Sequence, residues 1–288
     1  MKMSSNLVRE CRKYYASELE KIYDSNEANA LIMILLEHYF GIDRVKMALE
    51  PELRLSESEL LTLHLAVKEL LKNKPIQYII GETEFCGMRF FVEEGVLIPR
   101  PETEEMVRHL AVGHWPLAVK ILDIGTGSGC IAISLAKLLK DSIVTAVDVS
   151  AKALEIAKKN AEENGVDVRF VWDDILNPRN SELTDNQYDI IVSNPPYVCE
   201  SEKSEMRANV LDYEPSSALF VSDTDPLIFY RKILEFAQKT LKPNGQVWFE
   251  INEKFGNEMR NLCHEKGFKN VEIIKDFRGK DRILKAIR

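Results

Sequence analysis

The chain has 288 residues, of which 45% are hydrophobic and 29% charged, and its formal net charge is −8. That length predicts two domains, one of roughly 200 residues and one smaller. The longest apolar stretch, residues 30–36, is too short to cross a bilayer, and charged side chains near the N-terminus argue against a signal peptide. We therefore expect a cytoplasmic protein without membrane contact.

The acidic net charge and the cysteines exclude further classes. A charge of −8 opposes the phosphate neutralisation that general nucleic-acid affinity requires. The five cysteines are odd in number and scattered, without a C-x-x-C pair or a Cys/His cluster. We expect reduced thiols, no metal, and an acceptor that is a protein or a small molecule.

The first segment, residues 3–73, has helical periodicity. Apolar residues recur at helical spacing up to Ile22 and again up to Tyr39, after which Gly41 stops the second helix. Ser56 and Glu59 have the spacing of a capping box that opens a third long helix. The pattern predicts a small helical bundle over residues 1–74, to which we assign substrate recognition and not chemistry.

The next segment, residues 75–101, changes texture. Strand-like runs at 77–80 and 88–92 are punctuated by Gly81, Gly87 and Gly95. The pattern predicts a β-hairpin linker between two domains.

The remaining segment, residues 102–288, alternates between helical and strand patterns. The predicted elements are a helix at 104–112, a strand at 119–123, a helix at 130–139, a strand at 143–148, a helix at 151–164, and strands at 168–172, 189–193 and 246–251. Such alternation predicts an α/β fold with a parallel sheet covered on both faces. The segments 271–275 and 282–287 are too close for a crossover helix, so one should run antiparallel at the sheet edge.

A glycine-rich loop follows the first strand of this domain, in the order Asp123-Ile124-Gly125-Thr126-Gly127-Ser128-Gly129. Glycines there let the backbone approach a ligand closely. Asp148 ends the next strand, where a carboxylate can accept hydrogen bonds from both ribose hydroxyls. The spacing G-x-G-x-G lacks the ending favoured for dinucleotides and so favours S-adenosylmethionine over NAD. Asp173 and Asp174 are both candidates for binding the adenine amino group.

A second motif, Asn194-Pro195-Pro196-Tyr197, follows an apolar strand and should lie in the same crevice. The Asn194 side-chain oxygen and the Pro195 carbonyl can accept both hydrogens of one NH2 group, and Tyr197 offers a face for stacking. An amide or aryl amine is a poor nucleophile, so orientation should carry most of the catalysis. We predict that these four residues form the catalytic site of a methyl transfer to a planar nitrogen.

Longer segments carry a family resemblance. They are Pro75-Ile76-Gln77-Tyr78-Ile79-Ile80-Gly81, then Phe85-Cys86-Gly87, the run from Val96 through Ile98-Pro99-Arg100-Pro101-Glu102-Thr103-Glu104, Tyr213-Glu214-Pro215, and Asp276, Gly279, Asp281 and Arg282. With the two motifs, they make the chain resemble the protein-(glutamine-N5) methyltransferases of the HemK/PrmC family over almost its whole length.

The resemblance implies a Rossmann-like class I methyltransferase domain over residues 102–288 behind the helical domain. It implies S-adenosyl-L-methionine as donor, S-adenosyl-L-homocysteine as product, and no metal. The implied acceptor is the glutamine of the Gly-Gly-Gln loop in class I peptide chain release factors. Independently of the resemblance, we expect a monomer without direct nucleic-acid contact.

The resemblance also implies roles for single residues. Five residues match donor-site positions of the family: Gly125, Gly127, Asp148, Asp174 and Asn194. We also assign donor binding to Asp123, Thr126 and Gly129 on the glycine loop. Arg100 and Glu102 match a segment that lines the acceptor crevice.

Two other functions remain open. An amino-methyltransferase acting on adenine or cytosine could use the same Asn-Pro-Pro-Tyr motif on a flipped base. Alternatively, the helical lobe could bind a partner while the crevice is silent, although intact Asp148, Asn194 and Tyr197 argue against such an adaptor.

Overall fold

A computed structural model describes residues 5–288 of the chain. Its α-helices are Val8–Leu19 (α1), Ser25–Phe40 (α2), Arg44–Leu49 (α3), Glu57–Leu70 (α4), Ile76–Ile80 (α5), Pro101–Ala111 (α6), Cys130–Leu138 (α7), Ala151–Asn164 (α8), Ser181–Thr184 (α9), Ala208–Leu211 (α10), Ser216–Leu219 (α11), Ile228–Thr240 (α12) and Gly256–Glu265 (α13). Its strands are Glu82–Phe85 (β1), Met88–Phe91 (β2), Lys120–Ile124 (β3), Ile143–Asp148 (β4), Arg169–Trp172 (β5), Tyr188–Ser193 (β6), Val198–Cys199 (β7), Phe220–Val221 (β8), Leu241–Glu250 (β9), Lys269–Lys275 (β10) and Asp281–Ile287 (β11).

The first compact unit comprises residues 5–81 and 208–213. Its helices enclose an apolar core that includes Leu19, Ile32 and Leu63. Helix α2 ends at Gly41 in the left-handed conformation, with φ of 61°, and α4 begins with the predicted capping box. The helical prediction is confirmed from residue 5 onward, whereas residues 1–4, which the predicted segment and domain include, lie outside the described residues.

One predicted strand in this unit is wrong. Residues 77–80 form part of the short helix α5, which begins after Pro75 and ends at Gly81, whose φ is 79°. The β-branched residues of this segment indicated a strand, but Ile76, Ile79 and Ile80 pack on the helical core at helical spacing. Tertiary burial therefore overrides the local preference.

The second compact unit comprises residues 82–207 and 214–288. It contains the hairpin of β1 and β2, whose turn is Cys86-Gly87, and a seven-stranded sheet in the order β10-β11-β9-β6-β3-β4-β5. The pairings among β9, β6, β3, β4 and β5 are parallel, as the alternating pattern predicted. The domain boundaries at residues 74 and 101 stay predictions.

Alternate residues of the central strands pack on opposite sides of the sheet. Ile190 and Val192 belong to one apolar cluster, with α6 and α7, whereas Ile191 belongs to the other, with α12 and α13. Because both faces are buried, these strands are apolar throughout, and the polar residues concentrate at their carboxyl ends.

The predicted antiparallel strand is confirmed, but its place is not the edge. Strand β11 runs antiparallel to both β9 and β10 and lies between them. The chain leaves α13 into the outermost strand β10 and returns through a tight turn, so the second strand of the hairpin enters the gap beside β9. Order within a hairpin depends on where the preceding helix delivers the chain, which spacing alone does not reveal.

Among residues 5–288, no helix is both long enough and apolar enough to span a membrane.

Candidate active site

A cavity of about 360 Å³ opens at the carboxyl ends of β3, β4 and β6. Its volume falls in the range of small-molecule sites, and its place is the crevice where open parallel sheets bind ligands. Ten of the candidate residues from the sequence line it: Arg100, Gly125, Thr126, Gly127, Asp148, Asp173, Asp174, Asn194, Pro195 and Pro196. The structure thus brings the two motifs together in one cavity.

The glycine loop presents bare backbone to this cavity. Gly125 and Gly127 have φ of 75° and 55°, and a Cβ added to either would meet no atom within 4 Å. The backbone N–H groups of Gly125 and Thr126 both donate to the Val147 carbonyl, at 2.9 and 3.1 Å. The loop is therefore held to the neighbouring strand, and the space in front of it suits a ligand that packs directly on the backbone.

Two predicted residues of the loop, Asp123 and Gly129, do not line the cavity. The Asp123 carboxyl is fully buried and accepts hydrogen bonds from the Thr126 hydroxyl at 2.6 Å and the Ala132 N–H at 3.2 Å. A Cβ on Gly129 would lie 2.8 Å from Ile133 and 3.1 Å from Ala157, so that glycine allows close packing between α7 and α8. These two residues stabilise the loop on the side that faces away from the cavity.

The electrostatics of Asp123 reflect its burial. Removal from water raises the pKa of this carboxyl to about 7, and the hydrogen bonds from Thr126 and Ala132 oppose the shift. One carboxyl oxygen is buried without a described partner.

Asp148 reaches the cavity from the end of β4. Its two carboxylate oxygens accept hydrogen bonds from the backbone N–H groups of Gly127 and Ser150, each at 2.8 Å. Burial raises the pKa of Asp148, whereas these backbone donors act in the opposite direction. Since each carboxylate oxygen has two lone pairs, both keep accepting capacity for the hydroxyls of a ribose.

The two candidates Asp173 and Asp174 differ in how their carboxylates are used. Asp173 is buried and accepts from three backbone N–H groups, those of Asp174, Arg179 and Asn180. Asp174 accepts only from Leu176 among its described hydrogen bonds and stands half-buried at the cavity. Asp173 therefore shapes the loop, and Asp174 has an oxygen available for a ligand.

The Asn-Pro-Pro turn forms the opposite wall. Asn194 follows β6, and its Nδ2 donates to the Thr103 hydroxyl at 3.0 Å. Its other side-chain atom, Oδ1, takes no part in any described hydrogen bond, and no described hydrogen bond ends on the Pro195 carbonyl. Both predicted acceptors are thus available at the cavity.

Tyr197 does not line the cavity. Its hydroxyl donates to Glu250 Oε1 at 2.9 Å, and the guanidinium carbon of Arg282 lies 6.0 Å from its ring centroid. Burial, then the nearby Glu250 charge, raises the pKa of this phenol well above its usual value, so it remains a donor at neutral pH. The ring anchors the turn from behind, and stacking by Tyr197 on the acceptor stays a prediction.

Glu250, at the end of β9, received no role in the sequence analysis. It is 1% exposed, and Oε2 accepts from the Thr103 hydroxyl at 2.5 Å. Burial raises its pKa, while the hydrogen bonds from Thr103 and Tyr197 and the charge of Arg282 lower it. A carboxylate at the end of a parallel strand is the signal that identified Asp148, and the same rule applied to β9 would have found it.

Arg100 and Glu102 differ in their position relative to the cavity. Arg100 lines the cavity and pairs with Glu214 at 2.5 Å, and the Glu214 side chain is 1% exposed. Glu214 also accepts from the backbone N–H of Ile98 at 3.2 Å. Glu102 is half-buried on α6 and does not line the cavity, so its predicted contact with the acceptor stays a prediction.

Metal ligands were not expected, and residues 5–288 contain no group of three or more His, Cys, Asp or Glu side chains that could hold a metal ion.

Comparison with known proteins places this chain in a family. Residues 10–81 match the model described as PrmC N-terminal domain, and residues 102–212 match the methyltransferase small domain. The chain is 47% identical over 284 residues to the release factor glutamine methyltransferase of Flavobacterium psychrophilum. The alignment covers 97% of this chain and 99% of that protein. The chain belongs to the release factor glutamine methyltransferase family.

Other members of the release factor glutamine methyltransferase family agree. The Bacteroides thetaiotaomicron protein is 48% identical, covering 96% of this chain and 98% of its own length. The Bacillus subtilis protein is 39% identical, covering 91% of both.

Solved structures support the fold. A methyltransferase from Pyrococcus furiosus superposes with a TM-score of 0.54 at 23% identity, over 76% of this chain and 96% of that chain. A Thermus thermophilus 16S rRNA N2 G1207 methyltransferase, solved with AdoMet and guanosine, has a TM-score of 0.51 at 18% identity, over 72% of this chain and 49% of its own. The prediction of a methyltransferase domain on a Rossmann-like sheet, following an N-terminal helical domain along the chain, is confirmed.

Proposed function

We propose that this protein transfers a methyl group from S-adenosyl-L-methionine to the side-chain amide nitrogen, N5, of the glutamine in the Gly-Gly-Gln motif of class I peptide chain release factors. It acts as a cytoplasmic monomer on the protein substrate and needs no metal. The new N–C bond replaces the S–C bond of the donor, so the products are the N-methylated amide, S-adenosyl-L-homocysteine and one proton, which the amide nitrogen loses.

One observation carries the proposal: the glycine loop, Asp148 and the Asn194 turn face a single cavity. A loop of bare backbone beside a strand-end carboxylate suits an adenosine ligand, and a turn with two free oxygen acceptors suits an NH2 group. Family membership supports the same assignment.

The residues that would hold the donor are those around the glycine loop. Gly125 and Gly127 leave room for it against the backbone, and the Asp148 carboxylate would accept hydrogen bonds from the ribose hydroxyls. Asp174 would accept from the adenine amino group. The donor supplies an activated methyl on a positively charged sulfur.

The acceptor would be held by the Asn194 turn. An amide nitrogen shares its lone pair with the carbonyl, and it becomes nucleophilic only when its geometry is constrained. Asn194 Oδ1 and the Pro195 carbonyl would each accept one amide hydrogen, which fixes the nitrogen in front of the methyl group. Orientation of this kind can lower a barrier by roughly 7 kcal/mol or more.

The proposal is tested by incubating the full chain with labelled donor and either a class I release factor or DNA, followed by mass spectrometric mapping of the methyl group. We expect one methyl on the glutamine of Gly-Gly-Gln and none after that glutamine is replaced by alanine. Label in DNA but not in the release factor would assign the chain to amino-methyltransfer on bases. Absence of donor binding in calorimetry would favour a silent adaptor.

A further inference from the structure

A buried hydrogen-bond chain runs from the end of β9 to the acceptor turn. Asn194 Nδ2 donates to the Thr103 hydroxyl at 3.0 Å, and that hydroxyl donates to Glu250 Oε2 at 2.5 Å. Thr103 is 3% exposed and Glu250 is 1% exposed. Neither side chain can exchange these partners for bulk water. The direction in which each hydrogen bond of this network donates is therefore set within the protein.

The Glu250 carboxylate determines the donor-to-acceptor direction of these hydrogen bonds. An ionised carboxylate only accepts hydrogen bonds, and a hydroxyl has a single hydrogen to donate. The Tyr197 hydroxyl donates to the other carboxylate oxygen at 2.9 Å, so both oxygens of Glu250 accept from a hydroxyl. Burial raises the pKa of Glu250, and these two hydrogen bonds and the charge of Arg282 oppose that rise. The Thr103 hydrogen therefore points at Glu250, and a lone pair of Thr103 faces Asn194.

This polarity selects one of the two flips of the Asn194 amide. A lone pair on Thr103 requires a donor opposite, which only the NH2 end of the amide provides. The reverse flip would place Asn194 Oδ1 against the Thr103 oxygen with no hydrogen between them, a buried contact that costs free energy. With NH2 turned inward, Oδ1 is the atom left to face the cavity.

We propose that Glu250 is a positioning residue that acts through Thr103 to keep the oxygen of Asn194 turned toward the acceptor amide. The inference rests on the proposed function, because an amide acceptor needs an oxygen there, whereas the flipped amide would present a second NH2 group. Glu250 touches neither substrate and acts only by orienting Asn194.

The test compares four variants of the full chain: Thr103→Val, Thr103→Ser, Glu250→Gln and the double variant T103V/E250Q. Valine keeps the branched shape of threonine without its hydroxyl, and serine keeps the hydroxyl. We expect Thr103→Val to lower kcat about tenfold or more at saturating donor and acceptor, with the Kd for donor within about twofold of the parent by calorimetry.

Two further results are expected from the same series. Thr103→Ser should keep kcat within about threefold of the parent, because the serine hydroxyl can still link Asn194 to Glu250 by hydrogen bonds. The losses from Thr103→Val and Glu250→Gln should not multiply in the double variant, since both interrupt one chain. A near-normal kcat for Thr103→Val, a Thr103→Ser variant as slow as Thr103→Val, or fully multiplicative losses would each overturn the proposal.

A second readout needs no acceptor. In ¹⁵N-edited NMR spectra of the donor-bound protein, the side-chain amide of Asn194 is assigned by its disappearance in Asn194→Asp. Its two proton signals should shift in Thr103→Val and stay in place in Thr103→Ser. Unchanged signals in Thr103→Val would contradict the hydrogen-bonded link between Asn194 and Glu250, even if release factor methylation is observed. A parent protein that binds donor without methylating any release factor would contradict only the proposed function.

Discussion

The backbone N–H of Gly127 donates a hydrogen bond of 2.8 Å to the carboxylate of Asp148. The bond joins the glycine loop after β3 to the carboxyl end of β4, so the two parts of the predicted donor site are held in one geometry before any ligand arrives. Preorganisation of this kind reduces the ordering that binding would otherwise require.

Replacement of Asp148 by asparagine should weaken donor binding. The asparagine side chain keeps one oxygen for the loop but loses the second acceptor and the charge, and a hydrogen bond to a charged group contributes about 1.5–3 kcal/mol. We expect the Kd for S-adenosylmethionine to rise about tenfold or more in calorimetric titration. Asp167→Asn, at an exposed position, is the matched control and should bind as the parent does. Equal affinity of the Asp148→Asn variant would remove the carboxylate from the donor site.

The glycines of the loop should separate into two roles. A Cβ on Gly129, at φ of 82°, would lie 2.8 Å from Ile133 Cδ1, and 3.1 and 3.3 Å from the Cβ and Cα of Ala157, which cannot rotate away, whereas one on Gly125 meets nothing within 4 Å. Gly129→Ala should therefore lower the free energy of unfolding by about 2–4 kcal/mol, through overpacking added to backbone strain. Gly125→Ala should cost only about 1–2 kcal/mol of strain.

Donor affinity should follow the opposite order. The methyl group at position 125 would enter the cavity, so Gly125→Ala should weaken binding of S-adenosylmethionine more than Gly129→Ala does in the folded protein. Urea unfolding and calorimetry on both variants measure the two effects. Equal stability losses would contradict the packing role of Gly129.

The pH dependence of stability should carry the signature of Asp123. Burial raises its folded-state pKa to about 7, above the value of about 3.9 in an unfolded chain. A raised carboxyl pKa contributes stability below pH of about 4, and that contribution is lost as the pH rises through about 7. Stability of the parent should therefore fall over this interval relative to Asp123→Asn, by an amount on the order of 2–4 kcal/mol.

Urea unfolding of the ligand-free parent and Asp123→Asn, at several pH values from 4.5 to 8, makes the comparison. The difference between their unfolding free energies should change in favour of the variant as the pH rises to about 7, and it should level off above that pH. The exposed control Asp167→Asn should show a flat difference. A flat difference for Asp123→Asn as well would place the Asp123 pKa near its ordinary value.

Asn194 should be essential for turnover. Removal of an oriented polar group from a reaction centre costs about 100-fold or more in rate, so Asn194→Ala should lose at least that much kcat on a release factor. Asn257→Ala, at an exposed position on α13, should keep the parental rate. A turnover number near that of the parent in Asn194→Ala would exclude Asn194 from the mechanism.

The Arg100–Glu214 pair should matter more for stability than an exposed pair of the same chemistry. Glu214 is 1% exposed in its side chain, so Arg100→Met leaves a buried carboxylate with the Ile98 N–H as its remaining described partner. We expect a loss of about 1–3 kcal/mol in unfolding free energy. The control is Arg108→Met, whose pair with Glu104 is exposed and should contribute less than about 1 kcal/mol. Equal losses in the two variants would refute the distinction.

Much of the site was predictable because it depends on the ends of strands. Asp148 and Asn194 each follow an apolar run long enough to be a buried strand, and parallel strands deliver their carboxyl ends to one edge of the sheet. The capping box at Ser56 and the glycine stop at Gly41 are equally local. Each of these features needs only neighbouring residues and a repeating pattern.

Tyr197 and Gly129 show the limit of such reasoning. Both belong to motifs that point at a ligand, yet Tyr197 is bound through its hydroxyl to Glu250 and Gly129 packs against Ile133 and Ala157. A motif names the residues near a site, and the packing behind it decides which of them face the cavity.

The sequence by itself determined the fold class and which strand ends and motifs meet at the crevice, because periodicity, capping and strand-end polarity are local properties. Only the tertiary structure decided that α5 is a helix, that β11 lies inside the sheet, and that Thr103 links Asn194 to Glu250. Thr103 is 91 residues from Asn194 and 147 from Glu250 along the chain. Contacts over such separations depend on register and on how α6 packs beside β9, and these are set by the burial of the whole domain at once.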